Sequence, residues 1–430
     1  MTGQVSIKRR HLAGIVMGNV LEFYDFTVFG FFALQISRNF FPTDDAFSGL
    51  LLALATFGVG FLGRPVGAHY IGRYGDRVGR KPAMLLSFSL MGGALLVIAL
   101  TPPHHMIGVA GAVIVVIARL VQGFAIGGEV GPTTAMLIEA APRGRKGMYG
   151  GWQIASQGMA ILLAGGVGLT ISSQLPPADV DAWGWRVALL LGAALLPLGF
   201  WLRRTLPETL PEDVAAADHQ PSQSASLSFI SLGIVLILSG TVVNYTLQYL
   251  TTYAITTLAL DPVTAFASTS VVGGCLMLFG LAGGFLSDFT GRKPMVILPR
   301  ILLLLLAYPV FSNLVAAPSE QGLLIGAAML AALYALSTAA ANVSVAEGLP
   351  RAQRSRLYAL IYSIAVAVFG GTTQFIIAAL IKWTGNPVAP AWCMVAASIA
   401  AIAVAFAMRE TVGERRRFRA PKAIAEGAGA

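Results

Sequence analysis

Long apolar runs separated by short polar segments fill the chain. The runs are about 20 residues long and lack strict alternation, which favours membrane-spanning helices over the strands of a membrane barrel. We number the predicted spans 1 to 12 in chain order: 12–36, 47–71, 83–101, 106–136, 148–172, 184–202, 228–258, 264–286, 295–316, 321–346, 357–381 and 389–408. The pattern predicts an all-α membrane protein with 12 transmembrane helices.

A polar, glycine-rich segment interrupts this pattern twice. It reads GRYGDRVGRK at 72–81 and GFLSDFTGRK at 284–293, an offset of 284 − 72 = 212 residues. Similar offsets relate the Glu139 segment after span 4 to the Glu347 segment after span 10. Such a duplication predicts two pseudo-symmetric six-helix bundles of equal orientation, with a substrate bound between them near the bilayer midplane.

Composition adds domain boundaries and excludes an ordinary soluble protein. Only 11% of the 430 residues are charged, whereas a soluble domain has about a quarter. The longest polar stretch is rich in Pro, Ser and acids, which is typical of a linker. We predict an N-terminal bundle at 1–204, a cytoplasmic linker at 205–227, a C-terminal bundle at 228–410 and a flexible basic cytoplasmic tail at 411–430.

The net charge of +9 is a topology signal. Of the 29 Lys and Arg residues, 23 lie in the terminal segments and alternate loops, and three lie on the opposite side: Arg38, Arg186 and Lys382. Positive charge concentrates on the cytoplasmic side, so both termini are predicted to be cytoplasmic in a multi-pass protein of the cell inner membrane. We expect contact with the lipid bilayer, no nucleic-acid partner and a monomer.

Motifs for catalysis or cofactor binding are not evident. Residues 58–63 spell GxGxxG, but they lie inside an apolar span with no strand before them, so they indicate close helix packing. Cys275 and Cys393 are isolated and form neither a metal site nor a disulfide framework. We expect no enzyme activity, no cofactor and no metal. Solute transport is favoured, with a drug exporter and a membrane-embedded enzyme or receptor as alternatives.

The repeated segment resembles the signature of the major facilitator superfamily. GNVLEFYDFTVFGFFA (18–33), GFLGRPVGA (60–68) and ARLVQGFAIGGEVG (118–131) are similar to its metabolite:proton symporters, and the stretches at 152–157 and 369–371 most resemble citrate and tricarballylate members. The resemblance implies import of a small di- or tricarboxylate such as citrate, coupled to protons by alternating access. A zwitterionic osmolyte, another monocarboxylate, or Na⁺-coupled citrate uptake are the alternatives.

The repeated segment is predicted to act as a gate. Its glycines permit a tight turn with positive φ, and Asp76 can accept hydrogen bonds from the N-terminus of a neighbouring helix. Such a latch stabilises one of two domain arrangements, whereas a plain basic loop is the alternative. The predicted gating residues are Gly72, Asp76, Arg77, Gly79, Arg80, Asp288 and Arg292.

Ionisable groups within spans cost at least ~2.5 kcal/mol and are functional candidates by default. Arg119 in span 4 binds a substrate carboxylate or pairs permanently with an acid of span 1. Asp25, or else Glu22, is predicted to carry the coupled proton, with a structural role as the alternative for each; sugar porters of the same superfamily pair such an acid with a span-4 Arg. The remaining proton-coupling candidates are Glu129 and His69.

Two further arginines lie in spans. Arg64 either contacts substrate or braces the gate, and Arg300 is expected to extend to the cytoplasmic surface. Polar stripes at helical spacing form either a solute pathway or helix-to-helix hydrogen bonds, and we favour the pathway. The predicted substrate-binding residues are Arg119, Arg64, Asn19, Tyr24, Gln122, Gln153, Gln157, Asn244, Gln248, Tyr249, Asn342 and Tyr362.

Overall fold

Helices account for nearly all of the described structure. The computed structural model describes residues 9–78, 80–127, 130–139, 141–142, 144–204, 226–350 and 354–410. Within these residues, 11 helices are long and apolar enough to cross a membrane, and a shorter apolar helix, Leu85–Leu100, lies at span 3. The predicted all-α architecture with twelve spans is therefore confirmed.

The N-terminal half contains spans 1 to 6, and span 1 is divided. Span 1 breaks at Phe32, and a π-helical turn, Val180–Gly184, leads into span 6. The helices are Arg9–Phe31 and Ala33–Phe40 (span 1), Ala46–Val78 (span 2), Arg80–Leu100 (span 3), Val109–Gly127 and Val130–Glu139 (span 4), Lys146–Gln174 (span 5) and Trp185–Arg204 (span 6), with short turns at His104–Ile107 and Pro177–Asp179.

The C-terminal half contains spans 7 to 12. Side chains cap two of its helices: Asp261 accepts from the backbone N–H of Val263 at 3.0 Å, and Ser319 accepts from Gly322 at 3.2 Å. The helices are Leu227–Thr256 (span 7), Pro262–Thr290 (span 8), Arg292–Ala316 (span 9), Glu320–Gly348 (span 10), Arg354–Phe369 and Thr372–Thr384 (span 11) and Ala389–Ala407 (span 12).

Glycines allow the two halves to approach closely. Where span 5 meets span 8, a Cβ on Gly273 would lie 2.2 Å from the backbone nitrogen of Leu162. Where span 2 meets span 11, a Cβ on Gly371 would lie 2.2 Å from the Cα of Gly58. In lipid, where apolar burial adds little, close backbone packing of this kind holds helices together.

The bundle has two ends, which we name by their residues. The terminus end carries the start of span 1 at Arg9 and the end of span 12 at Ala407. The far end carries the connections between spans 1 and 2 and between spans 11 and 12, including Asp45 and Asn386. Because each half has six spans, both halves present equivalent helix ends to the same side.

Candidate substrate site and gates

Two arginines lie together inside the N-terminal half, on spans 2 and 4. Arg64 is 2% exposed and Arg119 is fully buried. Their guanidinium carbons lie 4.6 and 4.2 Å from the centre of the same ring, that of Phe26. Arg119 also stacks on Phe29 and Phe57 at 4.5 and 5.0 Å. Cation–π contacts with these rings hold both cations away from water.

Most polar atoms of this arginine pair lack partners. Arg119 Nη1 donates to Gln122 Oε1 at 2.8 Å. Among the described residues, Nε and Nη2 of Arg119 and Nε and Nη1 of Arg64 have no hydrogen-bond partner. An unmatched buried donor costs about 1–3 kcal/mol, more when it is charged. The pair therefore forms a buried, positively charged site whose unpaired N–H donors suit an anion.

Tyrosines of the C-terminal half complete the site. The ring of Tyr245 on span 7 meets Phe57 and Phe61 edge-on at 5.9 and 5.4 Å, and its hydroxyl lies in electrostatic range of Arg64 and Arg119. The hydroxyl of Tyr362 on span 11 interacts with Arg64. We call Arg64, Arg119, Gln122, Tyr245 and Tyr362 the central cluster, which joins the two halves.

The two acids of span 1 face different neighbours. Glu22 is buried and lines a narrow crevice between spans 1, 3 and 4, in electrostatic contact with Tyr362 of the central cluster. Asp25 faces span 6 instead, since a Cβ on Gly192 would lie 2.4 Å from its Oδ1. Glu22 and Asp25 are three residues apart, so their side chains differ by 300° around the helix and by about 4.5 Å along its axis. Glu22 is thus the acid beside the central cluster.

The other predicted substrate residues of the N-terminal half contact different helices. Tyr24 donates its hydroxyl to the carbonyl of Ala188 at 3.0 Å, so span 6 engages the group expected to meet substrate. Asn19 donates to Ser156 of span 5. Gln153 and Gln157 are buried on the same helix, and Gln157 interacts with Tyr362.

In the C-terminal half the predicted polar stripes face inward. Asn244, Gln248 and Asn342 are all buried, and Tyr249 lies towards the far end with its ring 6.4 Å from that of Tyr253. The stripes thus reach beyond the central cluster towards the far end. This placement is compatible with a pathway and also with helix-to-helix contacts.

His69 does not join the central cluster. His69 is exposed on the outer surface of span 2, beside Tyr70 and 3.5 Å from Arg73 Nη1. Five residues separate it from Arg64, which places the two side chains about 140° apart around the helix. Glu129 lies outside the described residues.

The expectation that Arg300 reaches the membrane surface is wrong. Its side chain is 1% exposed and donates to Ser337 Oγ and Thr338 Oγ1 of span 10 at 3.0 and 3.2 Å. The sequence shows apolar residues between Arg300 and the basic segment, but the direction of a long side chain depends on its neighbours. Span 10 supplies hydroxyls that keep this one inside.

At the terminus end, the second copy of the polar segment bridges the halves. Asp288 of span 8 accepts the backbone N–H groups of Gly147 and Met148 at 2.7 and 2.9 Å, at the N-terminus of span 5. Arg292 pairs with Asp288 at 3.0 Å and with Glu347 at 3.1 Å. The arrangement expected for Asp76 at a helix N-terminus is thus found for its counterpart.

Further ion pairs extend this contact. Lys146 lies 3.6 Å from Glu347, and Arg354 lies 3.2 Å from Glu139, both between halves. Glu410 accepts the backbone N–H groups of Arg292 and Lys293 at 2.9 and 2.8 Å. The terminus end is therefore bridged by charged groups from several helices.

In the first copy, the predicted turn can only lie at Gly79, outside the described residues. Gly72 lies inside the helix Ala46–Val78, so the turn is not made there. Asp76 and Arg77 are in the last turns of the same helix and Arg80 begins the next, but their side chains lie outside the described residues, as does Gly79. In the second copy, Gly291 adopts a φ of 100° between spans 8 and 9, which a residue with a side chain rarely does.

At the far end, Lys382 of span 11 reaches across to the N-terminal half. Its ammonium pairs with Asp45 and donates to Ser48 Oγ at 2.8 Å. This hydrogen bond from Lys382, with those from Ser48 and the backbone of Phe47, lowers the pKa of the Asp45 carboxyl to about 2. The rings of Phe32 and Phe266 also meet between the halves at 5.0 Å. Both ends are thus bridged in this structure.

The sequence alone did not select several of these residues. Tyr245 stood only as a neighbour of the polar stripe of span 7, Tyr334 belonged to the stripe of span 10 without being among the predicted binding residues, and Lys382 was only one of three basic residues on the sparse side. Helical spacing places Tyr245 one residue from Asn244, at about 100° around the helix. The signal available was therefore an aromatic residue beside a polar stripe, which also describes ordinary packing.

A fold of twelve spans in two bundles, with buried arginines inside the bundles near their contact, is typical of a membrane transporter. A family profile described as Major Facilitator Superfamily matches residues 15–363. The chain belongs to this superfamily, and it is a multi-pass membrane protein rather than an enzyme.

Individual relatives are similar over nearly the whole chain. A citrate-proton symporter of Salmonella typhi is 35% identical over 397 residues, covering 90% of this chain and 91% of the relative. An alpha-ketoglutarate permease of Escherichia coli (strain K12) is 31% identical, covering 91% and 92%. A solved structure of the xylose transporter XylE from E. coli, partially occluded and inward open, superposes with a TM-score of 0.77 at 17% identity, covering 94% of this chain and 98% of that one.

Proposed function

We propose that this protein imports a small di- or tricarboxylate such as citrate together with protons. The observation that carries the proposal is the arginine pair, whose four nitrogens without partners lie in a dry site at the junction of the halves. Guanidinium groups match carboxylates in shape and charge. The similarity to a citrate-proton symporter and to an alpha-ketoglutarate permease supports the same substrate class.

A zwitterionic osmolyte is less compatible with this site. Quaternary ammonium ligands are recognised by the free faces of aromatic rings. Here the rings of Phe26, Phe57 and Phe61 surround the central cluster, but Phe26 and Phe57 are already stacked with Arg119 and Phe61 with Arg64. A second cation would meet two positive charges at close range, whereas an anion is attracted by both.

Glu22 is the residue that we assign to proton coupling. It lies beside Tyr362, which itself contacts Arg64, so its charge is sensed by the central cluster. A protonated Glu22 leaves the arginine pair more attractive to an anion, and its deprotonation adds a negative charge that competes with the substrate. Asp25 is separated from this chain of contacts and is assigned to packing against span 6. Na⁺ coupling would replace this step.

Alternating access requires the two bridged ends to open in turn. The terminus end is bridged by Asp288 at the N-terminus of span 5 and by the pair of Lys146 with Glu347, and the far end by Asp45 and Lys382. Substrate and proton enter from the far end and leave at the terminus end as the halves rock about the central cluster. The far-end pair is partly exposed and therefore individually weak, which suits a contact that forms and breaks in every cycle.

The orientation follows from the distribution of basic residues. We place the terminus end, with both chain termini, in the cytoplasm and the protein in the inner membrane. One chain contains both halves of the central cluster, so a monomer suffices for transport. The coupling ion is the only cofactor that the cycle needs.

Uptake into proteoliposomes tests the proposal. We expect radiolabelled citrate to accumulate when the interior is alkaline, and a protonophore to abolish accumulation. The variant Arg119→Gln removes the charge and should reduce uptake at least ten-fold, whereas Arg38→Gln, an exposed pair with Asp181 inside one half, serves as the matched control and should transport like the wild type. Citrate should also raise the melting temperature of the wild type but not of Arg119→Gln.

Two other outcomes would change the coupling ion or the substrate that we propose. Accumulation that follows a Na⁺ gradient instead of the pH gradient would establish the sodium alternative. Uptake of proline betaine without uptake of citrate would refute the carboxylate proposal.

A further inference from the structure

Arg300 is a third arginine buried within a span away from the ends of the bundle, and it belongs to the C-terminal half. Two of its nitrogens are used: Nε donates to Ser337 and Nη2 to Thr338. Its Nη1 has no hydrogen-bond partner among the described residues, although the side chain is 99% buried. A brace between spans 9 and 10 accounts for the two bonds that are made. It leaves unexplained a charged N–H group that is buried without a partner.

A pair of tyrosines connects Arg300 to the central cluster. The guanidinium carbon of Arg300 lies 5.7 Å from the ring centre of Tyr334. The hydroxyl of Tyr334 is in electrostatic contact with both Arg300 and Tyr362. Tyr362 in turn contacts Arg64 of the N-terminal half. The three arginines therefore lie around one group of tyrosine hydroxyls, two on one half and one on the other.

In the repeat of the two halves, Arg300 is equivalent to a position beside Glu22. Adding the offset of 212 to Phe88, shortly after the first copy of the repeated segment, gives Arg300, shortly after the second. Phe88 lines the crevice beside Glu22. The duplicated position therefore borders an ionisable acid in one half and carries a fixed cation in the other.

Space beside Arg300 is kept open by a glycine. A Cβ on Gly240 of span 7 would lie 3.6 Å from Arg300 Nη2 and equally close to Thr338. A longer side chain at this position would cover the guanidinium from the side of span 7. The helix that contributes Tyr245 to the central cluster therefore reaches Arg300 on the side of Nη2, which is bonded to Thr338, and Nη1 is the nitrogen left for a ligand.

We propose that Arg300 binds one carboxylate of the substrate while the arginine pair binds the others, so that a tricarboxylate is held by both halves at once. This inference rests on the proposed function and specifies its substrate class. A ligand that touches Arg64 and Arg119 on one half and Arg300 on the other stabilises the state in which the halves are closed around it. A dicarboxylate satisfies only two of the three positions and is held less tightly.

A matched pair of ligands tests the inference. Tricarballylate has three carboxylates, and glutarate is the same molecule without the central one. Binding to the purified full-length protein is measured by calorimetry for both ligands, in the wild type and in Arg300→Gln. A charged hydrogen bond accounts for roughly a ten- to hundred-fold change in affinity. We expect Arg300→Gln to weaken tricarballylate binding by that factor and glutarate binding less than three-fold.

A second variant distinguishes binding from bracing. Thr338→Val keeps the charge of Arg300 but removes one of the bonds that hold it. It should weaken tricarballylate several-fold and leave glutarate unchanged. Loss of affinity for both ligands to the same degree in Arg300→Gln would assign Arg300 to bracing and overturn the inference, as would equal wild-type affinity for the two ligands.

The result is separable from the test of the proposed function. If the wild type accumulates citrate and Arg119→Gln does not, the carboxylate function stands whatever Arg300 does. If neither ligand binds the wild type, the proposed function fails first. Melting temperatures of both variants without ligand show whether the bundle has lost stability, and if Arg300→Gln melts more than about 10 °C below the wild type, the comparison of the two ligands rests on Thr338→Val, which keeps the charge of Arg300.

Discussion

Replacing Gly371 by alanine should prevent the halves from closing at the crossing of spans 2 and 11. A Cβ at this position would lie 2.2 Å from Gly58 Cα, 2.7 Å from Gly58 O and 2.7 Å from the ring of Phe61. Backbone atoms cannot move aside as a flexible side chain can. Reaching an ordinary contact of 3.4 Å requires a separation of 3.4 − 2.2 = 1.2 Å between the helices.

The energetic cost follows from this clash. Overpacking by one methyl group in a well-packed interior costs about 1–3 kcal/mol, which is a 5- to 150-fold change in an equilibrium constant. The cost falls only on states in which the two halves are in contact here. Each half keeps its own packing, so the protein should still fold, with its population shifted towards conformations that are open at the far end.

Labelling of an introduced cysteine reports this shift. Ser48 lies at the far end beside Lys382, and Ser48→Cys in a background without Cys275 and Cys393 reacts faster with a membrane-impermeant maleimide when that end opens. We expect faster labelling and slower uptake in the Gly371→Ala variant. Gly274→Ala is the matched control, since its Cβ would meet nothing within 4 Å. Labelling and uptake at wild-type rates in Gly371→Ala would show that this crossing does not separate during transport.

Three further predictions concern charged groups. The Lys382 pair holds the pKa of Asp45 at about 2, below its usual value, so the pair is intact above that pH and is lost only as the pH falls through it. Far-end labelling should therefore be equal at about pH 5 and pH 8. Faster labelling at pH 5 would contradict this prediction. Glu22→Gln should abolish pH-driven accumulation but retain citrate exchange, whereas Asp25→Asn should keep both; the reverse pattern would assign coupling to Asp25. Asp288→Asn weakens the two charge-assisted bonds from the backbone N–H groups of Gly147 and Met148, each worth about 1.5–3 kcal/mol. Labelling of a cysteine at the terminus end in inverted vesicles should therefore become faster. Unchanged labelling would exclude Asp288 from the gate.

The membrane fold was predictable because it depends on local properties of the chain. Runs of apolar residues define helices of fixed length, and the repeat at an offset of 212 residues defines two equivalent halves. Arg119 and Gln122, both predicted to bind substrate, are three residues apart on span 4, and their side chains form a hydrogen bond of 2.8 Å. Such short-range relations follow from helical periodicity alone.

Side-chain direction and contacts between distant helices were decided only by the tertiary structure. Arg300 turns inward because span 10 presents Ser337 and Thr338 to it, and no local pattern near residue 300 contains that information. Glu22 lies beside Tyr362 while Asp25 faces span 6, although both belong to one polar stripe. The sequence by itself determined twelve spans, their repeat and the presence of buried charges. Which charged side chains contact one another depends on the packing of helices that are far apart in the chain. The neighbouring helices determine the direction that each side chain takes.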